Sequence, residues 1–196
     1  VWADVKPLAL FPTRKPRAVF VNLVSHRALM HPRAHLAGIF WSDYPETRAQ
    51  RNLNTTLWRL RHALPDGYLH SEGDCVGFNS ASDYVLDVAR FEAGCATQAQ
   101  PIPERIRALE EALGLYRGDL LEGWYEDWAL VEAERLRLLY IHALQDLADC
   151  CQAIGALPRA LECMRRLAER DSFREDVHRR IMELHATLGQ REAALA

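Results

Sequence analysis

The chain has 196 residues, 49 % of them hydrophobic and 26 % charged, a globular composition with room for one large or two small domains. Its net charge of −3 hides an asymmetry, because residues 1–64 hold ten Lys or Arg and three acids while the remainder holds fourteen and twenty-four. That split argues against a polyanion partner for the acidic remainder and leaves the basic first third as the part suited to one.

In chain order, Leu8 to Phe11 forms a short apolar run closed by Pro12, at most one strand or an extended lead-in. Thr13 is a plausible N-cap, Pro16 is tolerated in a first helical turn, and Ala18, Val21, Leu23 and Val24 predict a helix running to about Ala28. Met30-His31-Pro32 reads as a connector. A second helix is expected from Arg33 to Trp41, burying Leu36, Ile39 and Phe40, and Ser42 to Pro45 as the turn after it. The next helix, Glu46 to Leu64, organises the rest. Ala49, Leu53, Leu57, Leu60 and Leu64 step by 4, 4, 3 and 4, one narrow face of an α-helix. The opposite face carries Arg48, Arg51, Thr55, Arg59 and His62 with Trp58 at its edge, and Glu46 is the one acid in the segment. Arg grips guanine bidentately or binds phosphate, and Thr hydrogen-bonds a base or touches a thymine methyl, so this face has the chemistry of a DNA-reading helix. A solvated amphipathic helix is the alternative.

Pro65-Asp66-Gly67 breaks the helix. Tyr68–Ser71 and Cys75–Asn79 then flank Glu72-Gly73-Asp74 as a β-hairpin, and Tyr84 to Val88 is expected to add a strand. Three helices and a hairpin, with the third helix basic outside, is the layout of a winged helix. From Arg90 onward the pattern is helical, over about 90–98, 103–116, 126–153, 157–170 and 174–188, with another helix beginning near 190. Arg107-Ala108-Leu109-Glu110 recurs as Arg159-Ala160-Leu161-Glu162, and Gly155 and Ala160 recur 34 residues on as Gly189 and Ala194. A period of 34 is that of a tetratricopeptide repeat. The expected fold is therefore mainly α: a winged helix-turn-helix over residues 1–88 and an all-α, tetratricopeptide-like domain over 89–196.

These residues resemble a known family. AQRNLNTTLWRLRHAL is similar to the recognition helix of the antibiotic-regulatory-protein (SARP) activators, and Arg33-x-x-Leu36 leading to Phe40-Trp41-Ser42-Asp43 resembles the run before it. Asp87-Val88-x-x-Phe91-Glu92, then Tyr116 to Gly123, Trp128 and Glu134 to Arg137, are similar to the family's bacterial transcriptional activator domain. The resemblance implies an OmpR-type winged helix that binds promoter DNA, fused to a domain that contacts RNA polymerase or a second protomer. The chain departs from the pattern in two places. Barely twelve residues precede the first helix where the family has several strands, and Asn54 stands where Arg is common.

The candidate DNA contacts are Arg48, Arg51, Asn52, Thr55, Arg59 and His62 on the third helix, with Arg14, Lys15 and Arg17 at the start of the first, where backbone N–H groups also favour phosphate. His26, His31 and His35 straddle a proline turn with no acid or thiol near in sequence and read as surface residues rather than metal ligands. Trp124, Tyr125 and Trp128 read as core or domain interface. The five cysteines (75, 95, 150, 151 and 163) have no zinc spacing and read as reduced core filler. No Gly-rich phosphate loop, HExxH or GxSxG is present, so no enzymatic activity, cofactor or metal is expected. No apolar run approaches the roughly 18 residues needed to cross a bilayer and no signal peptide opens the chain, so a soluble, cytoplasmic protein is expected. The chain does not begin with Met and REAALA stops in mid-helical pattern, so a longer parent protein is expected. Two other readings remain: an interaction module with a degenerate winged helix, and the regulatory region of a larger ATPase or other enzyme.

Overall fold

The structure is a computed structural model that describes residues 2–3, 6–7, 13–97 and 99–190. The chain divides into two units, Val1–Tyr84 and Val85–Ala196. The first opens with two short paired strands, β1 (Trp2–Ala3) and β2 (Lys6–Pro7), followed by helix α1 (Arg14–Ser25). Strand β3 (His31–Pro32), helix α2 (Arg33–Phe40), helix α3 (Glu46–Ala63) and strands β4 (Leu69–Glu72) and β5 (Cys75–Phe78) complete it. The expected run Leu8 to Phe11 lies outside the described residues.

Burial of the α3 stripe builds this unit. Ala49, Leu53, Leu57, Leu60 and Leu64 are all buried, with Thr56 between them, and α3 packs on both α1 and α2. Each such leucine contributes about 1.5–3 kcal/mol relative to exposure. Leu23, Leu36 and Phe40 supply the facing surface. The hairpin closes through Gly73 and Asp74, and Gly73 at φ +55° takes the first central position, the left-handed one of a type II′ turn.

Two expectations change here. Met30-His31-Pro32 is more than a connector, because His31 and Pro32 pair with Val76 and Cys75 and give a three-stranded antiparallel sheet in the order β3-β5-β4. That pairing buries His31 to 8 % exposure, so it is not a surface residue. Tyr84 to Val88 adds no strand. Leu86 is extended but pairs with no strand among the described residues, and Asp87 already opens a helix. Tyr84 packs instead on Phe78, ring centroids 4.9 Å apart at 89°, beside Phe20 and Tyr68.

The second unit contains α4 (Asp87–Cys95), α5 (Ile102–Leu115), α6 (Asp127–Ala153), α7 (Leu157–Arg170) and α8 (Glu175–Thr187), each packed on the next. The helix expected near 190 falls mostly outside the described residues. Leu109, Leu144, Ala148, Cys151, Met164 and Leu167 are centres of one continuous core. Gly94 lets α4 and α5 approach closely, since a Cβ there would lie 2.7 Å from the Ala112 methyl. The glycines 34 residues apart have a shared physical role. Gly155 and Gly189 sit at φ +75° and +76° just past α6 and α8. In both, the following N–H bonds five residues back, Ala156 to Cys151 and Gln190 to His185, the left-handed stop of a Schellman motif.

Between α5 and α6, Tyr116 stacks on Tyr140 at 4.3 Å and 22°, and its hydroxyl donates to Asp119 Oδ1 at 2.7 Å. Trp124 and Trp128 meet edge to face, but Tyr125 is 80 % exposed and belongs to no core.

Candidate nucleic-acid interface

At 100° per residue, Arg48, Arg51, Asn52, Thr55, Trp58, Arg59 and His62 fall within about 120° of the α3 surface, opposite the buried stripe. Six of them are exposed and Asn52 is half-buried. The Arg48 guanidinium lies 4.8 Å from the centre of the Tyr44 ring, in the turn that leads into the helix. Thr55 Oγ1 donates to the Arg51 carbonyl at 3.0 Å on the exposed face. The His62 ring lies 4.0 Å from Trp58, and His62 Nδ1 is 2.8 Å from the Trp58 carbonyl. Trp58 is 59 % exposed. Arg48, Arg51 and Arg59 form no ion pair among the described residues.

Arg14, Lys15 and Arg17 are exposed on the first turn of α1. Lys15 has a structural partner, since its Nζ donates to the Phe40 carbonyl at 2.7 Å and caps the end of α2. A cation there is favoured by the last carbonyls of the helix. The first turn of α1 is thereby tied to the residues that lead into α3.

The structure adds residues that sequence reasoning missed. Arg33, the first residue of α2, donates to Asn54 Oδ1 at 2.9 Å and to Ser71 Oγ at 3.3 Å. Arg61 donates to the same hydroxyl at 2.7 Å. The Arg33 N–H also bonds the Asp74 carbonyl of the hairpin turn at 2.9 Å. The hairpin is thus held to α2 and α3 by two guanidiniums. Asn54 serves this network, and a longer cationic side chain there would face Arg33. The available signal was positional: Asn54 and Arg61 are seven apart and share a flank of α3.

His26 and His31 meet edge to face at 5.8 Å, and burial, with the neighbouring His26 and His35, lowers the pKa of His31. Among the described residues no group of three or more His, Cys, Asp or Glu is placed to hold a metal, and no helix is long and apolar enough to cross a membrane. Cys95, Cys150, Cys151 and Cys163 are buried free thiols, and burial pushes Cys95 and Cys163 up to about 11.

Comparison with known proteins extends this geometry. Residues 86–196 match the family model of the bacterial transcriptional activator domain. The transcriptional regulatory protein MoaR1, from Mycobacterium bovis BCG and from Mycobacterium tuberculosis, is 27 % identical over 185 residues, covering 87 % of this chain and 58 % of the relative. The solved structure of M. tuberculosis EmbR in complex with a low-affinity phosphopeptide superposes with a TM-score of 0.82 at 22 % identity, over 98 % of this chain and 53 % of that one. The likeness to EmbR shows a shared fold. The chain spans little more than half the length of these proteins.

Proposed function

Since the chain belongs to the bacterial transcriptional activator domain family, as a SARP-type protein, we propose that it binds double-stranded promoter DNA and activates transcription. In this reading α3 enters the major groove and the β4–β5 hairpin touches the backbone or minor groove. The second unit contacts RNA polymerase or a second protomer, and the chain has no enzymatic role. Arg14 and Arg17 add phosphate contacts, with Lys15 contributing charge from its capping position.

The carrying observation is the α3 face itself. Three arginines stand there without a carboxylate partner among the described residues, interleaved with Thr55, Asn52 and His62, on a helix whose other side is buried. Exposed cations without acids of their own are suited to an external polyanion, and Arg and Asn have the donor geometry to read guanine and adenine. The Arg33 and Arg61 contacts to Ser71 fix the hairpin beside that face, as a two-element DNA contact requires.

The test is a binding titration of the whole chain against genomic fragments at two salt concentrations. A specific fragment should bind, and its affinity should fall steeply with salt, by about 0.9 in log–log slope per neutralised phosphate. Absence of any salt-dependent binding would move the interaction-module reading to first place.

A further inference from the structure

Six arginines of the second unit hold carboxylates, but Arg166 and Arg170 on α7 are held by aromatic rings. Arg166 donates from Nη2 to the Tyr140 hydroxyl at 2.9 Å and lies 5.9 Å from that ring. The Arg170 guanidinium lies 5.7 Å from the Tyr140 ring and 5.9 Å from the Tyr116 ring, which are stacked on each other. Neither arginine forms an ion pair among the described residues. On a helix at 100° per residue, Arg159, Arg166 and Arg170 share one face within about 40°.

That face borders a groove of about 350 Å³ between α5 and α7, with α6 as its floor. Leu113 and Gly114 form one wall, Glu162, Cys163 and Arg166 the other, and Leu147 and Cys151 lie beneath. Arg159 reaches across to Glu110 and closes one end with an ion pair. Arg166 lines the groove toward the other end, and Arg170 follows one turn beyond. The groove is therefore closed at one end, apolar on its floor, and bordered by the carboxylate of Glu162 as well as by Arg166, with Arg170 just beyond the lining. Its volume lies in the range of about 300–1,000 Å³ that holds small ligands. A bridge across the groove suits a compact ligand better than an extended chain. Guanidiniums resting on rings are weakly hydrated and pre-oriented, with N–H donors free for a bidentate oxyanion.

We propose that this groove binds a small amphipathic anion, with its carboxylate or phosphate on Arg166 and Arg170 and its apolar part along Leu113, Leu147 and the two thiols.

Calorimetric titration of the whole chain with hexanoate, hexyl phosphate and hexanol tests it. One or both anions should bind at least about tenfold more tightly than hexanol, a difference of about 1.4 kcal/mol. The preferred anion then identifies the head group. Arg170→Gln, which removes a side chain with only ring contacts, should weaken the anion about tenfold. Gly114→Leu should abolish binding without lowering the melting temperature, because a Cβ at Gly114 meets nothing within 4 Å and the helical glycine is replaced by a better helix former. Arg180→Gln, on α8 and paired with Asp149, should bind like the wild type. Failure of both anions to bind, equal binding of hexanol, or wild-type affinity in either groove variant would overturn the assignment.

Discussion

In the first unit Arg48, Arg51 and Arg59 stand on α3 with no ion pair among the described residues, whereas in the second Arg135, Arg137, Arg159 and Arg180 each hold an Asp or Glu. Residue type is the same and its use is opposite. A guanidinium satisfied by its own chain has little left for a polyanion, and one without a partner attracts phosphate. Charge counting over the two parts anticipates this contrast, but only the partners reveal it.

The largest expected effect lies under the α3 face. Leu57 is 1 % exposed, so Leu57→Ala should cost about 2–5 kcal/mol, measured by denaturant melts, because a cavity opens at the centre of the first unit. A smaller cost belongs to the second unit's ion pairs. Glu132 is buried and held by Arg135 through two bonds of 3.0 and 2.7 Å. Arg135→Ala should therefore destabilise by about 1–3 kcal/mol, less than for a fully buried pair because the Arg135 side chain is 45 % exposed. An Arg135→Ala protein as stable as wild type would remove the contrast between the units.

Acid and alkali should separate the units further. Burial lowers the pKa of His31, so the unfolded chain takes up a proton at that site before the folded one does. The contribution of His31 to the stability of the first unit is therefore present above about pH 6.5 and lost as pH falls below it. Cys95 and Cys163 behave in the opposite sense. Their pKa values are raised to about 11, so their contribution is complete below about pH 9 and lost as pH rises through 11. Melting curves across pH, with His31→Gln flattening the acid limb, check both signs.

Much of this was legible in the sequence. The α3 stripe is a strict 3.6-residue pattern, and the hairpin announces itself through Gly73 between apolar runs. The expected helices over 126–153 and 157–170 match α6 and α7 to within one residue. What escaped depends on partners distant in the chain. A two-residue strand such as His31-Pro32 has no period of its own and exists only through Val76 and Cys75. Tyr84 has the composition of a strand, yet its apolar ring is satisfied by Phe78. The Arg33–Ser71–Arg61 link joins residues up to 38 positions apart, and its one trace in the sequence is the shared flank of Asn54 and Arg61 on α3.

The smallest expected change in stability tests the central claim most directly. Arg51→Ala, Arg59→Ala and Arg137→Ala should each alter stability by no more than about 0.5–1 kcal/mol, as exposed arginines and surface pairs do. DNA binding, followed by fluorescence anisotropy across a salt series, should divide them. Arg51→Ala, near the start of α3, should lose about 1–3 kcal/mol at one base position, and Arg59→Ala should lower the salt slope by about 1 for every sequence. Arg137→Ala, whose guanidinium is already held by Glu134 at 2.7 and 2.8 Å, should bind DNA like the wild type. Wild-type binding by both α3 variants, or an equal loss in Arg137→Ala, would contradict the assignment of DNA recognition to the α3 face.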